Sequence, residues 1–337
     1  MKESKYILLD HGSGGLATQK LVSDIFLPFL KNQFLEKLED SAELDLAHGR
    51  IAFTTDTYVV DPIFFPGGDI GSLAVYGTVN DLSVKGAKPL YISLALILEE
   101  GLELDVLKKI IESIARAAEH CNVKVVTGDT KVVPKGKADK IFINTSGVGL
   151  LSKFSFSPLN IKVGDVVIVS GTLGDHGVTI LTQREGLSMD CDLKSDSQPL
   201  HELTSALIEK LGDNVHAMRD PTRGGLATCL CEMANAANVE IELDESSLPI
   251  RKEVEAACEV LGLDPLYLAN EGKAVFFVDK DYAQQALEII KNFSIGKEAR
   301  IIGQVISEGN SRVLLKTLIG GKRVIEPLSG EPLPRIC

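Results

Sequence analysis

Six aspartates stand at the ends of apolar runs or inside tight polar turns: Asp40 in LEDSAEL, Asp56 in IAFTTDTYVV, Asp69 in PGGDIGSLA, Asp81 in GTVNDLSVKGAKPL, Asp129 in VVTGDTKVV and Asp220 in MRDPTRGGLA. Any one of them alone reads as a turn or helix-cap residue, because a short carboxylate accepts hydrogen bonds from nearby backbone N–H groups. As a set they read differently. Hard carboxylate oxygens from separate loops, with glycines that allow close backbone approach, suit Mg²⁺ ions holding a triphosphate. Each ion keeps waters and takes few carboxylates, so a polyphosphate bridged by more than one ion draws on several at once. Two Gly-rich segments accompany them. HGSGG (11–15), with Gly12, Gly14 and Gly15, lacks the strand and helix context of a Walker loop or a dinucleotide fingerprint. PTRGGLA (221–227) runs from a Pro turn into an apolar helical stretch. Around Arg223 and Gly224 it is either a set of backbone N–H groups offered to a phosphate or a plain loop-to-helix connection. Lys131, after GDT, and Lys273, in NEGKA, read by default as strand-edge or solvent lysines.

The second chemical feature is a thiol. Five of the six cysteines (Cys121, Cys191, Cys229, Cys231 and Cys258) read as small buried side chains, since no CxxC pair occurs and a chain of this size needs no disulfide staples. Cys337 is different: it ends a segment, 326–337, that contains Pro327, Pro332, Pro334 and Gly330. That segment cannot be a helix and is expected to be an extended, mobile arm. Prenylation motifs place residues after their Cys, and a metal site wants His or Cys nearby, which this segment lacks. A thiol on a Pro-stiffened arm reads as a substrate carrier that reaches out and folds back. Arg335 favours its thiolate form, and a terminal carboxylate opposes it.

The elements that position these groups follow from composition and periodicity. The 337 residues carry 35 Lys+Arg against 47 Asp+Glu, a net −12, with 45% hydrophobic and 24% charged residues. That is the composition of a globular protein, with a length that suits about two domains of roughly 150 residues each. The acidic balance argues against a nucleic-acid footprint and against docking on an anionic membrane. Leu90 to Leu98 predicts a buried strand and is far too short to span a bilayer. MKESKYILLDHG has no signal-peptide pattern, so the expected address is the cytoplasm. Apolar residues recur at helical spacing from Leu104 to Ala118. Strand patterns follow at 123–130, 141–149 and 163–177, the last ending in a Gly-rich turn. The stretch 150–160 has no clear period, which places a domain boundary near residue 152.

TTDTYVV, GTVNDLSVKGAKPLY, VVTGDTKVV, RDPTRGGLA, NEGK and PRIC together resemble the HypE family, the carbamoyl dehydratases of nickel–iron hydrogenase maturation. This family lies within the superfamily of aminoimidazole ribonucleotide synthetase and selenophosphate synthetase. The resemblance runs through nearly the whole chain. TTD, NDL and GDT are shared across the superfamily, whereas GDTKVV, RDPTRGG and PRIC point to the family.

The resemblance implies a mixed α/β, two-domain PurM-like architecture. Residues 1–152 would form an ATP-binding and dimerisation domain that builds a β-barrel across two protomers, 153–325 a C-terminal α/β domain, and 326–337 a flexible tail. It implies ATP and Mg²⁺, with Asp40, Asp56, Asp81 and Asp220 on the metal. Asp129, Asn80, Gly12, Gly14, Gly15, Arg223 and Gly224 would lie at the nucleotide, with Asp69 as a further candidate and HGSGG as a mobile lid. EDSAEL stands where the superfamily usually reads DDAAV, so Glu39 replaces one aspartate beside Asp40. The implied activity is dehydration of a carbamoyl group on Cys337. HypF would deliver that group, Glu271 would act as base with Lys131 as its tuning partner, and a HypC–HypD scaffold would accept the cyanide. Two other readings are a selenophosphate synthetase-like enzyme or small-molecule kinase, and a non-catalytic ATP-responsive carrier. No Cys precedes Cys121, which counts against a selenophosphate synthetase, and the dense carboxylate set favours turnover over scaffolding.

Overall fold

A computed structural model describes residues 15–21, 23–24, 42–46, 49–186, 192–330 and 334–337. Asp40, Gly12 and Gly14 lie outside the described residues. In chain order the elements are α1 (Leu16–Leu21), β1 (Ala42–Leu46), β2 (Gly49–Tyr58), β3 (Phe64–Phe65), β4 (Gly68–Asp69), α2 (Ile70–Val84), β5 (Ala87–Glu99), α3 (Leu104–His120), β6 (Lys124–Val133) and β7 (Ile141–Leu151). There follow β8 (Val166–Val169), α4 (Asp175–Arg184), α5 (His201–Leu211), β9 (Val215–Arg219), α6 (Gly225–Ala237), β10 (Val239–Asp244), α7 (Lys252–Leu261), β11 (Val275–Val278), α8 (Ala283–Lys291), β12 (Arg300–Glu308), β13 (Arg312–Lys316) and β14 (Lys322–Ile325).

The first half builds a five-stranded sheet in the order β1-β2-β7-β5-β6. Its strands are antiparallel except for β5 and β6, which run parallel because α3 carries the chain across between them. Strand parity decides which residues face the helices. Along β2, Ala52, Thr54 and Tyr58 are buried, whereas Phe53, Thr55 and Thr57 are exposed, so Asp56 shares the covered side. The covering helix α2 is buried around nearly its whole circumference. Its sequence, IGSLAVYGTVNDLSV, is apolar or small on every side, as a helix packed on two faces requires. Asp69 is its N-cap: the carboxylate accepts from the N–H groups of Gly71 and Ser72, and Ser72 returns the bond. The cap reading of Asp69 is therefore sufficient.

Two periodicities play out differently from expectation. The run Leu90–Leu98 lies within β5 but is buried on one side only, with Tyr91 and Ile97 exposed on the side that carries no helix. Leu104 and Ile111 likewise stay exposed, while Ile110, Ile114, Ala117 and Ala118 form the buried stripe of α3.

The second half builds a seven-stranded sheet, β14-β13-β10-β12-β8-β11-β9. Alternate residues of its central strands feed two cores. Val167, Val169, Val275 and Phe277 pack against α6, whereas Ile168, Phe276 and Val278 pack against α5 and α8. The cores of the two halves are not separate. Val178 and Ile180 of α4 and Val254 and Cys258 of α7 join the cluster formed by Ile70, Leu73, Ile110 and Ile143. Ile336, near the end of the chain, is also buried in this shared cluster. Burial pushes the Cys121 thiol up to about 12 and that of Cys258 to about 11, in keeping with packing roles.

Candidate active site

The site lies where the covered face of the first sheet meets the loops of the second. Asp56 is on that face, and Thr54, two residues earlier, donates its hydroxyl to Asp81 Oδ2 at 2.7 Å. This bond brings the carboxylate near the end of α2 towards the strand. Tyr58, two residues beyond Asp56, is fully buried, and its phenol is held well above the usual range by burial and by the charges of Asp56, Asp81 and Glu271.

Asn80 joins the two halves. Its Nδ2 donates to the carbonyls of Gln198 (3.1 Å) and Glu271 (3.3 Å), and its Oδ1 accepts from Leu200 N–H at 2.8 Å. Asn270 does the same for the loops behind. It donates to Pro221 O at 3.0 Å and accepts from Gly174 N–H at 2.8 Å, so DPTRGG, NEGK and the start of α4 are locked in register. Asp196 Oδ1 accepts from Glu271 N–H at 3.1 Å, and its other oxygen lies 3.4 Å from Lys273 Nζ. Lys273 is therefore an interior ion-pair partner, not a solvent lysine. Beside these groups lies a polar cavity of about 580 Å³, lined among others by Asp69, Asp175, Asp196, Arg251 and Lys273.

The carboxyl of Glu271 is 3% exposed, and its Oε1 has no hydrogen-bond partner among the described residues. Burial raises its pKa well above the ordinary range, Asp56, Asp196 and Asp220 raise it further, and Arg223 opposes them. Asp56 is also raised by burial and pulled back by Arg223. Arg223 itself is held charged, first by Cys337 and then by Asp56 and Glu271. One guanidinium thus stands among Cys337, Asp56 and Glu271, residues that lie far apart in sequence.

Gly224 and Gly225 make the turn that presents Arg223. Both have positive φ (78° and 63°), and a Cβ on Gly225 would meet Leu266 O at 2.4 Å. Gly224 caps α6 with no side-chain partner for the first N–H groups. Gly15 lies against the start of the tail, where a Cβ would sit 2.1 Å from Leu328 O.

The structure thus brings together Asp56, Asn80, Asp81, Asp220, Arg223, Glu271 and Cys337. It does not bring Asp129 or Lys131 to them. Asp129 pairs in register with Ala95, Asn144 and Thr57, and Lys131 with Ile97, all on the open side of the sheet opposite Asp56. There the two pair with each other at 3.2 Å in solvent, and Lys131 holds Asp129 below the usual carboxylate range.

Tyr58, Asp196, Asn270, His176 and Arg184 were not singled out from the sequence. Asn270 is the first residue of the NEGK motif and His176 sits in a GDHG sequence, which are weak local signals. Arg184 has none. Arg335 does not serve the thiol as expected: it donates to Val59 O at 2.8 Å and to Asp139.

Two family models match the chain, "AIR synthase related protein, N-terminal domain" over residues 38–151 and "AIR synthase related protein, C-terminal domain" over 162–316. Carbamoyl dehydratase HypE of Azotobacter vinelandii is 47% identical over 328 residues, covering 97% of this chain and 96% of that protein. A HypE–HypF complex superposes with a TM-score of 0.87 at 46% identity, covering 91% of this chain and 99% of that one. HypE in complex with ATP superposes at 0.83 with 46% identity, covering 98% and 100%.

Proposed function

This chain belongs to the HypE family of carbamoyl dehydratases, and we propose that Asp56, Asp81, Asp220, Arg223 and Glu271 form the site that dehydrates a carbamoyl group carried on Cys337. The fold is the two-domain PurM-like one, and the chain is an ATP-dependent enzyme of hydrogenase maturation. Its product, a thiocyanate on Cys337, supplies cyanide for the iron of nickel–iron hydrogenase.

The chemistry balances in two steps. A carbamoyl thioester does not lose water unaided, because hydroxide is a poor leaving group. Transfer of the ATP γ-phosphoryl to the carbamoyl oxygen, with loss of one N–H proton, gives a phosphorylated imidate and ADP. Removal of the remaining N–H proton then expels phosphate and leaves S–C≡N. Glu271 is the base for this removal. Its buried carboxyl holds a proton more tightly than an exposed one, and its unpartnered oxygen is free to receive it. By resemblance we assign the tuning of Glu271 to Lys131; the positive charge of Arg223 also works against the burial that raises its pKa.

Among the described residues no group of three or more His, Cys, Asp or Glu could hold a metal alone. Mg²⁺ does not ask for one, since it takes one or two carboxylates and completes its shell with phosphate and water. Desolvated Asp56 fits such an ion, with Asp81 and Asp220 as the other proposed ligands together with Asp40. Mg²⁺ would neutralise phosphate charge there. Asn80, Arg223, Gly224 and the segment bearing Gly12, Gly14 and Gly15 are the proposed nucleotide-binding positions, whereas Asp129, on the open side of the sheet, is not brought to them within this chain.

HypF is the proposed carbamoyl donor and a HypC–HypD complex the cyanide acceptor. The active form is a homodimer working in the cytoplasm; among the described residues no helix is long and apolar enough to cross a membrane. Division at residue 152, with a tail from 326, remains the proposed domain plan.

The observation that carries the reading is the docking of Cys337 beside the end of β2, where Val59 N–H, three residues beyond Asp56, donates to Cys337 O at 2.9 Å. The protein is incubated with a carbamoyl donor system and Mg-ATP, and the C-terminal peptide is weighed. ATP-dependent loss of the mass of one water from carbamoylated Cys337 is expected. The same chemistry persisting in Cys337→Ala would overturn the reading. Asp81→Asn should lose the ATP-dependent step and keep an alkylatable Cys337; normal dehydration in that variant would remove Asp81 from the metal set.

A further inference from the structure

The end of the chain is held mostly by its backbone, and one helix does most of the holding. Arg184, in the last turn of α4, donates through Nε and Nη2 to Asp61 O at 2.9 and 2.7 Å. Those two bonds fix the guanidinium to the segment that leaves β2, independently of the tail. The donors that remain face the tail: Nη1 reaches Pro334 O at 2.5 Å and Nη2 reaches Arg335 O at 2.7 Å. About two turns earlier on the same helix, the buried His176 uses Nε2 to donate to Ile336 O at 2.8 Å. Its Nδ1 faces Ser195 Oγ at 2.7 Å, so a neutral ring with its proton on Nε2 satisfies both contacts, and burial favours that neutral form.

The opposite side of the tail pairs with the segment that follows β2. Val59 N–H donates to Cys337 O at 2.9 Å and Asp61 N–H to Arg335 O at 3.3 Å. Among the described tail residues, Ile336 enters the shared core, Cys337 packs against it, and Arg335 binds Val59 O and Asp139.

We propose that Arg184 and His176 are positioning residues for the tail, clamping the carbonyls of residues 334–336 and so fixing the register in which Cys337 meets Arg223 and Glu271. A backbone clamp suits a carried thiol, because charge-assisted hydrogen bonds to carbonyls set position without depending on what the sulfur bears. Because Arg184 is already committed to Asp61 O, the clamp is pre-formed on the segment that leaves the strand carrying Asp56. Docking the tail therefore aligns thiol and carboxylate together. The inference rests on reading Cys337 as the carried thiol.

The test needs neither ATP nor a carbamoyl donor, so its failure is distinguishable from failure of the dehydratase assignment. Native full-length protein is treated with iodoacetamide, and alkylation of Cys337 and of the buried Cys258 is followed by mass spectrometry. Arg184→Gln removes the clamp and should raise the Cys337 rate about tenfold, with the Cys258 rate unchanged. An unchanged Cys337 rate overturns the proposal. If Cys258 also reacts faster, the variant has loosened as a whole and Arg184→Lys decides. It keeps the charge but not the fork, and must raise the Cys337 rate alone; a slow Cys337 there overturns the proposal too. With carbamoylated protein, Arg184→Lys should lower kcat for dehydration and leave KM for ATP unchanged, a split that a merely structural role would not produce.

Discussion

Glu271 combines the two demands made on a buried base: it must be desolvated to be strong, and it must not unfold the protein when it ionises. Its pKa is raised first by burial and then by Asp56, Asp196 and Asp220. The native state therefore keeps this proton to a higher pH than the unfolded chain does. Stability from this residue is whole below the ordinary glutamate range and is lost as pH rises through the folded-state value. Glu271→Gln should abolish that slope. Urea unfolding of the two proteins should coincide near pH 4 and separate above about pH 5, the variant becoming more stable by about 1 kcal/mol or more. Its dehydration rate should fall by about a hundredfold. Equal stability at every pH would show that Glu271 is not a buried acid. Asp56 and Cys337 were legible in the sequence because their chemistry belongs to the side chain itself, whereas Glu271 entered only through the resemblance of its NEGK motif. His176 and Arg184 were not, because their partners are backbone carbonyls, which every residue has.

At the scale of elements the site depends on loops that touch through backbone atoms. The NEGK loop passes so close to the segment before α5 that a Cβ on Gly272 would lie 1.9 Å from Asp196 O and 2.8 Å from Gln198 N. A backbone atom cannot swing aside as a side-chain tip can. Gly272→Ala must therefore push residues 196–198 away, together with the Asp196 bond to Glu271 N–H and the Asn80 bond to Gln198 O. A stability loss of about 1–3 kcal/mol is expected in urea titration. Dehydration should fall further than ATP binding, since the base moves while Asp56 and Asp81 stay on β2 and α2. A variant with unchanged stability would mean that the loops are not in contact. The parity of β2 was readable from its alternation, and the helix of 104–120 from its period. The near-complete burial of α2 was not, because its second covering comes from α5 and the loop at 196–200, which lie more than a hundred residues away. The half-exposure of β5 was hidden for the converse reason: an apolar run announces burial but not which neighbour supplies it.

Among the described residues, a row of exposed apolar side chains lies on the open face of the first sheet. Phe53 pairs across β7 with Val148, which pairs across β5 with Tyr91, so the three form one row on that face. Phe53 and Tyr91 are 43% and 46% exposed, and Ile97 on the same strand is 44% exposed. The neighbouring edge strand β6 leaves Val126 and Val132 exposed, and among the described residues no strand pairs with its outer edge. An apolar face beside an unpaired edge is what a sheet presents when it closes against another sheet. The net charge of −12 keeps such a surface soluble without covering it. The proposed homodimer would supply the missing cover, and it would also enclose Asp129 and Lys131, which lie on that same side. Phe53→Asp places a charge at one end of the row without touching the covered face that carries Asp56. Sedimentation at about 10 μM should then show a monomer, against the dimer expected of the unmodified protein, since a buried unpaired charge outweighs the few kcal/mol of a micromolar association. The second half of the molecule should melt as before. If Phe53→Asp sediments with the unmodified protein, the open face is not the dimer interface, and Lys131 must reach the site, if it does, from within its own chain.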